Sequence, residues 1–386
     1  MRLSSLLLAA VAAAALAACA HAPMPAVDPQ SLLADGLFGP PTEVVRTDDV
    51  FEMSPAMQRY LDVDIADVVR VDGRQAALLY ALRRRSQLKL EYDAAKTKNA
   101  AATFADRTGN CLSLVLMSAA FAKALDLPVS YRSAYVDESW NRSGNLLLVS
   151  GHVNLTVGRR TVDAKTQHAL APITIDFLPP EALGGLRSRE VDETTIVAMY
   201  ANNRAAEALA AGRLDDAYAW AAESVRRDPT FGGAFNTLGV VYLRHGDLEQ
   251  AARVFERVLA VDPDDTRVLA NLAEAYGRLG RKDDEQAVRK HLVALEPYPP
   301  FYFFDLGMDA MKRADYAAAR ELFAREVARA DSYHEFHFWL GVADWRLGDD
   351  TAARRQLRLA VDNSVTRHQR DLYAAKLEWL QAHQVH

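Results

Sequence analysis

Only two cysteines, Cys19 and Cys111, occur among 386 residues, so no framework of several disulfides organises the fold. Positive charge is in deficit: 45 Lys and Arg against 51 Asp and Glu give a formal net charge of −6. The longest basic run is Arg83-Arg84-Arg85, which decorates one helix end. A nucleic-acid partner, which needs a clustered basic surface, is therefore not expected. Short ligand spacings are missing as well, so a metal held by Cys111, His152 and His168 is disfavoured. Neither metal nor cofactor is expected. The uncharged Leu/Ala run over residues 3–16 is too short to span a bilayer. What remains is a balance of apolar and charged residues typical of soluble proteins, in a chain long enough for two folded units and an export segment.

The export segment comes first. Met1-Arg2 supplies a short positive start, residues 3–16 an apolar stretch, and Ala17-Ala18-Cys19 a small-residue end. That order is a signal peptide. Leu16-Ala17-Ala18-Cys19 resembles a bacterial lipobox, which implies lipidation at Cys19. Ala20 after the cysteine implies an outer-membrane anchor facing the periplasm. Residues 20–50, carrying Pro23, Pro25, Pro29, Pro40 and Pro41, are expected to be a flexible tether. With Cys19 acylated, Cys111 has no intrachain disulfide partner even in an oxidising compartment.

A period of 34 residues governs the C-terminal half. Gly212, Gly246, Gly280 and Gly348 open turns in one register, and Ala314 fills the missing step. Seven residues before each turn stands a small residue: Ala205, Gly239, Ala273, Gly307 or Gly341. Five residues after it comes Ala217, Ala251, Ala319 or Ala353, with Glu285 as the exception. Pro229, Pro263 and Pro297 mark the ends of second helices. Paired helices in which small residues permit close approach explain this pattern. It resembles the tetratricopeptide repeat: five units over residues 198–363, then a capping helix over 364–386. The resemblance implies a protein or peptide partner on the concave face. Aromatics of the last two units, among them Phe301, Phe303, Phe304 and Phe336, suit either that groove or the core between units.

In the N-terminal half, residues 54–95 show helical spacing. Residues 112–125 are apolar nearly all round, which describes a helix buried in a core. Strands are expected over 129–136, 146–149, 152–157 and 161–163, giving an α+β domain over 51–180 and a linker over 181–197. Cys111 opens the buried helix after Gly109-Asn110, His152 begins a strand, and Asp163 ends the next. The stretch TFADRTGNCLSLVLMSAAFAKALDLPV resembles the nucleophile segment of the transglutaminase-like branch of the papain-type cysteine enzymes. The resemblance implies that Cys111 is the nucleophile, His152 the general base and acid, and Asp163 the carboxylate that orients the imidazole. A two-residue turn at Gly158-Arg159 would set Asp163 opposite Asn154, on the face of His152. A helix N-terminus favours thiolate and offers N–H groups to an oxyanion. No side-chain oxyanion donor stands out; Asn110 and Arg107 are the polar residues nearest in sequence.

The expected function is thus a lipid-anchored cysteine enzyme acting on amide bonds through a thioester, with hydrolysis and acyl transfer both open. The alternative is a scaffold lipoprotein whose N-terminal domain only binds.

Overall fold

Residues 28–83, 88–135, 140–143, 146–149, 152–158, 161–162, 169–177 and 187–382 are described by the structure, a computed structural model. Cys19, Asp163 and His168 lie outside the described residues. The N-terminal domain begins with helices. Ser54 accepts from the Met57 amide and so caps α1 (Pro55–Arg59), which runs on as a π-turn over Tyr60–Asp64. Then follow α2 (Ala66–Asp72), α3 (Arg74–Arg83), β1 (Glu91–Tyr92), α4 (Ala100–Asp106), β2 (Thr108–Gly109) and α5 (Cys111–Ala124). β1 and β2 form a small parallel pair. As its composition implies, α5 is buried on every side from Leu112 to Ala122.

The strands come after the helices. β3 (Val129–Tyr135), β6 (His152–Val157), β9 (Ile173–Ile175) and β10 (Arg187–Val191) make an antiparallel sheet in the order β10-β3-β6-β9, with α5 packed against β6 and β3. β4 (Trp140–Ser143) pairs with β5 (Leu146–Val149), and β7 (Thr161–Val162) with β8 (Ala169–Leu170). One expectation fails here. Among the described residues β6 does not form a hairpin with Thr161–Val162; it pairs with β9 as well as β3, and β7 turns to β8. The ladder from Leu155 to Val157 onto Ile173–Ile175 takes that edge of β6.

Five helical hairpins make up the rest: α6 (Glu193–Ala210) with α7 (Leu214–Arg227), α8 (Gly232–His245) with α9 (Leu248–Leu259), α10 (Thr266–Leu279) with α11 (Lys282–Leu295), α12 (Tyr302–Lys312) with α13 (Tyr316–Arg329), and α14 (His334–Arg346) with α15 (Asp350–Asp362). A final helix, α16 (Arg367–Ala382), closes the array. The small positions act as expected. A Cβ added at Gly239 would lie 2.4 Å from the Phe255 ring, and one at Gly307 2.6 Å from Phe323. The turns need a left-handed residue, which Gly246 supplies at φ 104° and Ala314 at φ 59°. Phe301, Phe304 and Phe336 are core, not groove. At Glu285 the pattern breaks: its carboxylate lies against Gly277, and α11 has no buried residue. The core divides there. One cluster runs from Leu32 through α5 and the sheet to Tyr276, and another gathers Phe301 to Ala343.

Residues 28–50 are not a free tether. They form a strap over the first two hairpins, with Leu32 and Val50 buried and Phe38 stacked on Tyr218 at 4.1 Å. Glu43 accepts from the Trp220 indole at 2.6 Å and pairs with Arg204 at 2.8 Å. The Tyr242 hydroxyl donates to the Leu32 carbonyl. Proline content suggested an open chain, but the apolar anchors between the prolines and the carboxylate at Glu43 tie it down.

The N-terminal domain also meets both ends of the array. On α6, Glu193 accepts from the Tyr131 hydroxyl and pairs with Lys123, while Glu207 accepts from the Thr97 amide. Beside α16, the Val365 carbonyl accepts from the Ala94 amide at 2.9 Å, and Arg367 pairs with Glu91 at 2.7 Å.

Candidate active site

The site starts from a turn that aims a helix. Asn110 caps α5: its side-chain oxygen accepts from the Ser113 amide at 2.9 Å, and its amide nitrogen donates to Thr97 Oγ1 at 2.8 Å. Gly109 lets the turn close, since a Cβ there would meet Ser113 Cβ at 2.7 Å. Arg107, at φ 59°, lies over the Phe104 ring and donates to the Leu88 carbonyl. Both polar neighbours of the cysteine thus shape the turn. Cys111 is the first residue of α5 and is partly exposed.

His152, at the start of β6, is 3% exposed and hydrogen-bonds Cys111. Its Nε2 faces both carboxylate oxygens of Asp176, at 2.8 and 2.9 Å, so the bond to the thiol falls to Nδ1. Asn154 donates to Asp176 Oδ2 at 2.9 Å. The register explains the placement. Leu155 is opposite Ile175, so Asp176 comes level with Asn154, two residues from His152 on the same face. The sequence points to Asp163 as the carboxylate for this imidazole; Asp163 is outside the described residues, and the carboxylate the structure sets on His152 is Asp176. The run Ile173-Thr174-Ile175-Asp176 alternates as a half-buried strand does, a signal that would have found it.

The electrostatics follow from these contacts. Burial alone lowers the imidazole pKa, but the hydrogen bonds to Asp176 and Cys111 outweigh it and raise the value to about 9. His152 therefore holds its proton at neutral pH. A second group reaches the cysteine from β1: the Cys111 backbone N–H donates to the Tyr92 hydroxyl. Burial, and next the Cys111 thiol, push that phenol's pKa up. Nothing in the sequence around Tyr92 marks it for this place. Among the described residues no group of three His, Cys, Asp or Glu could hold a metal ion. The cluster is thus a thiol, an imidazole and a carboxylate in series, at the N-terminus of a buried helix.

Comparison with known proteins bears on the array. A family model described as tetratricopeptide repeat matches residues 208–270 and 242–284, and a second of the same description matches 304–364. The C-terminal region is a tetratricopeptide-repeat solenoid. No curated protein matches the chain. Among solved structures, the MamA protein is similar at 17% identity, over 44% of this chain and 92% of that one, with a TM-score of 0.26. TTC0263, a thermophilic TPR protein of Thermus thermophilus, matches at 19% identity over 47% and 99%, with a TM-score of 0.30. YrrB, a TPR protein with an unusual peptide-binding site, matches at 19% over 46% and 92%, with a TM-score of 0.26.

Proposed function

We propose that the protein is a protein-binding repeat scaffold whose N-terminal domain carries a transglutaminase-like thiol site acting on amide carbonyls. The observation that carries this reading is the hydrogen-bonded series Cys111–His152–Asp176. The Cys111 sulfur attacks the carbonyl carbon and the carbonyl electron pair moves to oxygen. Collapse re-forms the carbonyl and breaks the C–N bond, and the amine leaves with the proton that His152 Nδ1 supplies. The product is a thioester on Cys111. Water or a second amine then adds to it, gives its proton to His152, and expels the sulfur as thiolate. Asp176 keeps the imidazole in the required orientation and stabilises its charge. No cofactor enters these steps.

Two further parts of the proposal rest on other residues. Leu16-Ala17-Ala18-Cys19 supports export and acylation at Cys19, with the chain anchored at the outer membrane and facing the periplasm. Loss of alkynyl-palmitate labelling in Cys19→Ala checks this; labelling that persists overturns it. The repeats support a protein or peptide partner.

Activity is tested with a p-nitrophenyl ester and the full chain. The expected result is a burst of nitrophenol that Cys111→Ser abolishes and Asp176→Asn slows by about 10²–10⁴-fold. Iodoacetamide alkylation of Cys111 should show an upper step near pH 9 as His152 loses its proton. That step disappears in His152→Ala and moves to lower pH in Asp176→Asn, because the bond that raises the imidazole pKa is weakened. A wild type with neither burst nor step leaves the second reading, a scaffold whose thiol site only binds. Tyr92 on the Cys111 amide favours that second reading.

A further inference from the structure

The segment from Glu91 to Lys98 touches β2, α5 and both ends of the array. Its first residues form β1, paired to β2 directly before Cys111, and the Asp93 amide extends the pairing to the Gly109 carbonyl. Its middle is bound to the far end of the array, through the Ala94 amide on Val365 and through Glu91 on Arg367. Its end is bound to the near end, through the Thr97 amide on Glu207 at 2.6 Å. Thr97 also receives the side chain of Asn110, the cap of α5, and the Lys98 amide donates to Ser113 Oγ inside that helix. Tyr92, on the same segment, accepts from the Cys111 N–H.

That N–H belongs to the nucleophile itself and is one of the unpaired donors at the start of α5, the kind of group that holds an oxyanion. A phenol oxygen bound to it stands in the substrate's place. We propose that Tyr92 is a plug on the Cys111 site, and that the repeat array sets the plug by clasping its segment at both ends. The inference rests on Cys111 being the reactive thiol, and it concerns the regulation of that site. The array is built to change the clasp. Its core divides between Tyr276 and Phe301, with no buried residue on α11 between them. The last two hairpins and α16 are therefore able to shift against the first three without opening a packed interior. Such a shift pulls Val365 and Arg367 from Ala94 and Glu91 and frees Tyr92. A protein ligand that straightens the array turns the site on.

The test is the rate at which iodoacetamide alkylates Cys111 in the full chain, followed by mass spectrometry of the Cys111 peptide. Alkylation needs no oxyanion and no turnover, so it reads the plug even if the ester assay is silent. An ester assay that stays silent in Tyr92→Phe as well, together with a responding alkylation rate, would overturn the enzymatic reading alone. Tyr92→Phe should raise the rate about ten-fold, the size of one hydrogen bond. Arg367→Glu, which sets two carboxylates face to face, should raise it about three-fold. The swap Glu91→Arg with Arg367→Glu should return it to the wild-type rate. Arg367→Gln serves if the charge reversal lowers the melting temperature. A Tyr92→Phe rate at or below wild type overturns the plug. A raised Tyr92→Phe rate with Arg367 variants at the wild-type rate overturns control by the array.

Discussion

The first three hairpins and the last two have the same plan and different neighbours. The first share one core with the strap, α5 and the sheet. The last two have cores of their own, one around Phe301, Phe304, Phe323 and Phe336 and a small one of Ala353, Leu357 and Leu380, and among the described residues they reach the N-terminal domain through the residues just before and within α16. The polar groups buried in the two parts also differ. In the first part Arg204 is placed between Glu43 and Glu207, at 2.8 and 2.9 Å, with Glu207 passing the connection to Thr97. In the second, His334 has one nitrogen on the Tyr373 hydroxyl and the other without a hydrogen-bond partner. The same repeat therefore shares the core of the N-terminal domain in its first three units and is tied to that domain by polar contacts in its last two.

Arg204→Met leaves two carboxylates facing each other at a buried site and releases the strap. It should cost about 3–5 kcal/mol and lower the unfolding of the N-terminal domain and the first hairpins together. Urea melts followed by hydrogen exchange should show α5 and α7 losing protection in one step. Loss confined to α6 and α7 would mean that the shared core does not act as a unit.

The response to pH should separate the two parts by sign. Burial, and next the neighbouring His337, lower the His334 pKa to about 4. A histidine with a depressed folded pKa gives stability that is full above about 6.5 and is lost as pH falls toward 4. The loss is on the order of 2–3 kcal/mol. His152 goes the other way: with its folded value raised to about 9, its contribution is full below about 6.5 and lost as pH rises through 9. Exchange protection of α14 should therefore fall between pH 6.5 and 4.5. Protection of β6 should fall between pH 7 and 9.5. Equal changes in both elements would sink the assignment of one histidine to each body.

How much of this could be read beforehand differs along the same line. The array was legible because five units repeat one physical demand, and a period is visible without knowing what touches what. The buried α5 was legible too, since a helix apolar on all sides has only one environment. Cys111 at a helix start and His152 at a strand start can be picked out from local elements, and the structure sets the two in contact. The contact of Asp176 with His152 cannot be read that way. Reaching Asp176 requires knowing which strand pairs with β6, and that pairing, onto the Ile173–Ile175 ladder, is nonlocal. Tyr92 and the strap were hidden for the same reason: their contacts lie across the fold, as with the Ala34 amide on the Tyr218 hydroxyl.

A matched pair of glycines separates the two cores. Gly239 and Gly307 hold the same repeat position, and an added methyl would meet Phe255 or Phe323 within 2.6 Å. Each Gly→Ala change should cost about 2 kcal/mol by overpacking. Only Gly239→Ala should lower the protection of α5 and β6. Gly307→Ala should loosen the second core alone, leaving the N-terminal domain at its wild-type melting temperature.

The smallest effect has the opposite sign. Ala314 holds a left-handed conformation, φ 59°, at the turn where four other units place glycine. The Cβ is strained against its own carbonyl, at roughly 1 kcal/mol. Glycine relieves that strain and costs something in unfolded-chain entropy. Ala314→Gly should therefore stabilise the α12–α13 hairpin by less than about 1 kcal/mol. The gain should appear only in the unfolding of the second body, because the exposed turn joins α12 and α13, whose buried faces belong to the core that begins at Phe301. A gain that also raised the melting of α5 would join the two bodies into one cooperative unit, and the divided core could not then serve as the hinge of the clasp.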